Sequence, residues 1–205
     1  TFAMVLTMVC KMSYFDNAVK SGNYSKGPSF TDVSKCFFEL KGKKYGVIGL
    51  GNIGSKVARI AQAFGMEVVY YSTSGTAHSN EFKNVSLEEL MQTCDVISVH
   101  APLNERTNNL ITYKYLKLMK PTAYIFNLGR GGIINEADIV QALNEDLLAG
   151  AGIDVFCKEP LPLDSPYLKV NNPDKILLTP HIGWASKEAR ACLIDKIAEN
   201  IKNNM

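Results

Sequence analysis

From Tyr45 onward, short apolar runs alternate with longer stretches whose apolar residues recur at helical spacing. The runs Tyr45–Ile48, Glu67–Tyr71, Val96–Val99, Tyr124–Asn127, Ala151–Val155 and Ile176–Thr179 predict strands. Helices are expected between them at about 53–64, 86–92, 113–118 and 136–145, with a last one at about 184–203. Strands that do not alternate are buried on both faces, so the pattern implies an α/β fold with a doubly wound parallel sheet. Ile53, Val57, Ile60, Ala61 and Phe64 mark the apolar face of the first of these helices. Ser86 with Glu89 forms a capping box, and Thr112 and Asn135 are expected N-caps. Upstream, Phe2 to about Val19 reads as one helix, apolar on nearly all sides at first and amphipathic later. Ser21–Asp32 reads as a surface connection, and Leu161–Pro173, with Pro162, Pro166 and Pro173, as an irregular loop.

Composition narrows the picture only a little. The 205 residues are 46% hydrophobic and 20% charged with net charge +2, which gives no electrostatic reason to expect nucleic acid or an anionic membrane as partner. Five scattered cysteines show neither a disulfide framework nor metal-ligand spacing, so a reducing cytoplasm is the expected location. His78, His100 and His181 are too dispersed for a zinc site, and no metal is expected. The apolar run at the start of the chain lacks a preceding basic region and is too short to span a bilayer. It begins at Thr1 and reads as a buried helix cut open at its start, as in a chain that begins mid-domain.

The chemistry concentrates where the predicted strands end. Val47–Gly54 spells Val-Ile-Gly-Leu-Gly-Asn-Ile-Gly between a strand and a helix. Gly49 would allow the tight turn, Gly51 the approach of a pyrophosphate, and Gly54 close helix–strand packing. The helix opening at Asn52 and Ile53 would face the phosphates with free N–H groups. The next strand ends at Ser72, where an NAD-selective domain usually carries Asp or Glu to bind the ribose hydroxyls. No arginine follows to attract a 2′-phosphate, and Ser72, Thr73 and Ser74 could hydrogen-bond either form. NAD is favoured slightly over NADP. Later strand ends carry Arg130 among glycines, Asp154 and Glu159, and His181 between Pro180 and Ile182. Arg offers a fixed fork to a carboxylate or carbonyl oxygen, and His is a proton donor near neutral pH.

These motifs together, in this order, resemble the D-isomer-specific 2-hydroxyacid dehydrogenases, with the glycerate dehydrogenase (hydroxypyruvate reductase) branch closest. The likeness runs from Thr1 to the end of the chain and includes His100-Ala101-Pro102-Leu103, the Arg130 segment, Asp154–Pro160 and Pro180–Trp184. It implies a two-lobed enzyme with a Rossmann-like nucleotide lobe, usually a homodimer, whose smaller catalytic lobe is largely absent from this chain. Residues 1–35 would be an inter-lobe connecting helix and loop, 36–183 the dinucleotide-binding domain, and 184–205 a helix returning toward the absent lobe.

The resemblance assigns His181 as the acid–base residue, Glu159 as its orienting partner, and Arg130 as the group holding the oxygens of a 2-oxo acid. Asp154 would bond the nicotinamide carboxamide, with His181 beside it. Ile53, Ala101, Pro102, Thr107, Leu128, Gly129 and Arg130 would line the cofactor. Trp184 would form a pocket wall or pack at the helix start, and hydroxypyruvate or glyoxylate is the favoured substrate type. The alternative is an NAD(H)-responsive corepressor-like binding module on the same scaffold. The chain alone is expected to bind cofactor without useful turnover.

Overall fold

The computed structural model describes residues 1–76 and 79–203. Its strands are β1 (Lys44–Ile48), β2 (Glu67–Tyr71), β3 (Lys83–Asn84), β4 (Val96–Val99), β5 (Tyr124–Asn127), β6 (Gly150–Ile153) and β7 (Ile176–Leu178). They form one sheet in the order β3-β2-β1-β4-β5-β6-β7, every pairing parallel. The chain winds outward from β1 to β3, then crosses back and winds the other way from β4 to β7. The reversal between β1 and β4 opens a crevice beyond the carboxyl ends of the strands, where such sheets bind ligands.

The helices are α1 (Phe2–Val9), α2 (Met12–Lys20), α3 (Asn52–Ala63), α4 (Leu87–Thr93), α5 (Tyr113–Leu116), α6 (Glu136–Asn144) and α7 (Lys187–Asn203). Successive strand residues face opposite sides, so each strand feeds two cores. Ile97, Ile125 and Ile153 meet Leu90, Met91, Leu116 and Ile139 of α4, α5 and α6. Tyr45, Val47, Tyr70, Tyr124 and Phe126 meet Met4, Val5, Met8 and Val9 of α1 with Val57, Ala58 and Ala61 of α3. Burying both faces is what removed the period-two signal from the sequence.

Several expected features differ in the structure. The opening helix is two helices. Lys11 takes a left-handed conformation with φ 53°, ending α1 after its buried residues are placed. The following α2 buries none and is held at its flank by Tyr14–Ser34 and Phe15–Phe37 contacts. On α3 the buried face is Gly54, Val57, Ala58 and Ala61, while Ile53, Ile60 and Phe64 lie exposed. Small residues bring α3 close to β1, and the larger apolar ones sit beside that contact. Thr112 makes no side-chain cap; the Asp138 carboxylate accepts the Tyr113 N–H instead, at 2.7 Å.

Ser86 accepts from Glu89 N–H, and Asn135 from the N–H groups of Ala137 and Asp138, as expected. The reciprocal half of the Ser86 box is replaced, because Glu89 pairs with Lys83 at 3.0 Å. Strands β6 and β7 stop at Ile153 and Leu178, leaving Asp154, Val155 and Thr179 in the turns beyond the sheet. The last helix starts at Lys187, with Ser186 Oγ accepting the Ala189 N–H. The Leu161–Pro173 loop contains a short 3₁₀ turn, Pro166–Lys169, that buries Tyr167. Among the described residues no helix is long and apolar enough to cross a membrane. His78 lies outside the described residues.

Candidate active site and dinucleotide cleft

At the switch point a cleft of about 800 Å³ is lined by Gly49, Leu50, Gly51, Asn52 and Ser55 from the glycine turn and α3. Ser72, Thr73 and Ser74 line it after β2, and His100, Pro102, Asn104, Glu105 and Arg106 after β4. Its size suits a nucleotide. A Cβ on Gly51 would meet nothing within 4 Å, so the turn presents bare backbone to open space. A Cβ on Gly54 would lie 2.2 Å from the Gly49 carbonyl oxygen, so a side chain there would push α3 off the turn. The residues therefore fit a dinucleotide. The glycine turn and the start of α3 would hold its pyrophosphate with backbone N–H groups.

Of the expected cofactor residues, Gly49, Gly51, Asn52, Ser72 and Pro102 line the cleft directly. Ala101 is buried behind Gly49, and Ile53 is exposed at the start of α3. Thr107 is also buried. Its hydroxyl donates to the Pro102 carbonyl at 2.6 Å and accepts the Asn104 N–H at 2.8 Å, so it shapes the loop behind the wall.

Arg106 is the residue that linear reading missed. Its guanidinium donates to the Ser74 carbonyl oxygen at 3.1 Å across a gap of 32 positions. The cation sought directly after Ser72 thus arrives from the loop after β4. Beneath the cleft, Tyr45 Oη donates to buried Ser98 Oγ at 2.9 Å, and His100 Nε2 lies 2.9 Å from the same oxygen. Burial pushes His100 down to about 4, so it is neutral at physiological pH.

The other end of the site is assembled from the ends of β5, β6 and β7. Asn127, the last residue of β5, is buried; its amide donates to the Arg130 carbonyl at 2.9 Å and accepts the Gly129 N–H at 3.1 Å. In the sequence Asn127 opens the Arg130 segment as an ordinary strand end, with nothing local to mark its bracing role. Gly131 is pressed against the next segment, since a Cβ there would fall 2.0 Å from the Phe156 carbonyl. That contact brings the Arg130 turn against the one carrying Glu159.

Glu159 accepts the Phe156 N–H at 2.9 Å, and its other oxygen lies 2.7 Å from His181 Nδ1. The Phe156 N–H, then His181 and Arg130, hold the Glu159 carboxyl below the usual carboxylate range. Glu159 is therefore ionised at neutral pH.

Asp154 is buried just beyond β6, where it serves as the anchor of the histidine turn. One oxygen accepts Thr179 Oγ1–H at 2.5 Å and the Ile182 N–H at 2.9 Å; the other accepts the Gly183 N–H at 2.9 Å. Between these bonds His181 is held at φ 52°, a conformation that L side chains rarely adopt and that surrounding bonds must impose. Leu128 is half-buried beside the same turn, and Trp184 is exposed beyond it. Partial burial and the Glu136 carboxylate outweigh a hydrogen bond with the Gly132 backbone and push the Cys157 thiol up to about 11.

Residues 2–183 match the family described as D-isomer specific 2-hydroxyacid dehydrogenase, NAD binding domain. The chain belongs to this family. It is 36% identical over 204 residues to a glyoxylate reductase of Thermococcus litoralis, covering 98% of this chain and 60% of that protein. Among solved structures, a D-lactate dehydrogenase from Aquifex aeolicus, complexed with NAD and lactic acid, superposes with TM-score 0.88 at 29% identity. The match covers 98% of this chain and 63% of that one. An acyclic imino acid reductase in complex with NADPH and D-Arg superposes with TM-score 0.87 at 32% identity, covering 99% and 62%. The chain thus spans about 60% of the length of the curated relative it matches.

Proposed function

We propose that this chain is the nucleotide lobe, with the acid–base machinery, of a dehydrogenase that interconverts a D-2-hydroxy acid and its 2-oxo acid using NAD or NADP. The observation that carries this reading is the His181–Glu159 contact at 2.7 Å, with Arg130 near Glu159, beyond the same carboxyl edge of the sheet as a cleft that fits a dinucleotide. When bound, the dinucleotide gives or takes the hydride at substrate C2.

The protein groups then have separable tasks. Glu159 takes the Nδ1 side of the His181 ring, leaving Nε2 as the nitrogen that gives a proton to the carbonyl oxygen in reduction and removes it in oxidation. The ionised Glu159 stabilises the imidazolium that the oxidation direction creates. Arg130, on its Asn127-braced turn, holds substrate oxygens as a fork. Glyoxylate and hydroxypyruvate are the favoured oxo acids, with Trp184 exposed beside the histidine turn as a candidate wall. A second lobe and a homodimer partner belong to this reading; exposed Met12 and Val19 on α2 and Leu193, Ile194 and Ile197 on α7 are free to meet them.

The test follows the near-ultraviolet absorbance of the reduced nicotinamide in the two-lobed protein carrying this chain, with NADH and NADPH against glyoxylate, hydroxypyruvate and pyruvate. Oxidation that collapses in His181→Ala supports the reading. Clear nucleotide binding with no oxidation in any pairing replaces it with a regulatory module. The 205-residue chain alone is expected to bind nucleotide without turnover, because this reading puts part of the reacting cleft on a second lobe and the chain spans about 60% of the length of a curated relative. Turnover by it at rates like those of the two-lobed protein would overturn that part.

A further inference from the structure

We infer that the adenosine end of the cleft is built for a 2′-phosphate, so that this chain selects NADP(H) over NAD(H) through Arg106. The inference rests on the dinucleotide reading above and deepens it. A free ribose diol is best held by a carboxylate that accepts from both hydroxyls, and the residue after β2 supplies it in NAD-selective domains. Here that residue is Ser72, and of the residues that follow it Thr73 and Ser74 line the cleft with hydroxyls. Ser72 Oγ donates to the Thr76 carbonyl at 2.5 Å and lies 3.1 Å from Ser74 Oγ, which lies 3.1 Å from Thr76 Oγ1.

Into this turn comes Arg106. One of its terminal nitrogens is spent on the Ser74 carbonyl, which fixes the guanidinium at the rim of the cleft that Ser72, Thr73 and Ser74 line. Among the described residues Arg106 makes no ion pair, unlike Arg59, which is matched to Glu81 at 3.1 Å. An exposed guanidinium with N–H donors to spare, set against a cluster of hydroxyls, is the chemistry that recognises a phosphate monoester. Glu105 lines the same cleft and carries the opposing charge, but makes no ion pair with Arg106. The nearest alternative task for Arg106, bracing the Ser74 turn alone, uses one donor and predicts no preference between dinucleotides.

Direct binding separates these cases. Titration calorimetry of the chain with NADPH, NADH, adenosine 2′,5′-bisphosphate and AMP is expected to show the two 2′-phosphorylated ligands bound about tenfold or more tightly than their counterparts. Arg106→Ala should weaken NADPH about 30-fold while leaving NADH almost unchanged, and Arg106→Lys should fall between, keeping charge but losing the fork. Equal affinity for NADPH and NADH, or an Arg106→Ala loss common to both, would overturn the assignment while the dinucleotide reading stands. Binding of neither nucleotide overturns the dinucleotide reading and this assignment with it.

Discussion

Beyond the ends of β5–β7 the polar side chains are tied down by buried groups, whereas after β2 a turn of hydroxyls, buried at Ser72 and exposed at Ser74, is touched by one guanidinium. Asp154 is 2% exposed and accepts three bonds from the histidine turn, and Asn127 is fully buried beneath Arg130. Arg106 and Ser74, in contrast, are exposed and joined by a single bond. In the proposed reaction proton transfer demands a fixed distance, and in the first region buried carboxylate and amide groups over-determine one histidine conformation. The dinucleotide selection inferred for the second region would demand only charge of the right sign within reach, which an exposed arginine supplies.

The sharpest way to break this contrast is His181→Ala in the two-lobed enzyme proposed above. Turnover should fall about 10³-fold with nucleotide affinity little changed. An equal loss of nucleotide binding would mean that His181 is structural.

Next in size is Asp154→Ala, which leaves the Ile182 and Gly183 N–H groups without their acceptor. Urea unfolding of the chain should show a loss of about 3 kcal/mol. An unchanged midpoint would show that the histidine turn needs no anchor.

A smaller effect comes from His100, whose folded pKa of about 4 lies below its ordinary value. Between these two values the unfolded chain binds more protons, so stability is complete above about pH 6.5 and is lost as the pH falls toward 4. The thermal midpoint should drop across that window, and His100→Gln should flatten the drop. A drop that persists in His100→Gln would assign it to another group.

Smallest is Ser72→Asp, which brings a carboxylate to the β2 turn. Calorimetry should show NADPH binding about tenfold weaker with NADH unchanged or slightly tighter. A loss shared by both nucleotides would mean that the turn has collapsed rather than changed its preference.

Much of this molecule is legible before folding is considered. The β1, β2, β4 and β5 runs carry dense apolar residues, and their expected ends agree with the structure to within one residue. Asn135 caps α6 because its short amide oxygen reaches two free N–H groups of the helix it precedes, a local event. The break at Lys11 was hidden because nothing in Cys10–Lys11 forbids a helix; the chain turns there because α1 has already filled its place under β5 and β6. Thr112 misled for a related reason, since the cap came from Asp138 on another helix.

The division follows the range of the forces. The sequence by itself determined most of the elements, their parallel arrangement, the glycine turn and the placing of His181, Glu159 and Arg130 after strand ends, because spacing and strand-end placement are local properties. It determined neither the break at Lys11 nor the two-residue strand β3. Only the tertiary structure decided which groups meet. It set Glu159 against His181, gave Asp154 to the Ile182 and Gly183 N–H groups, and carried Arg106 to Ser74. Such contacts depend on the crossover that places β4 beside β1 and β2 on its far side, and no window of neighbouring residues contains that information.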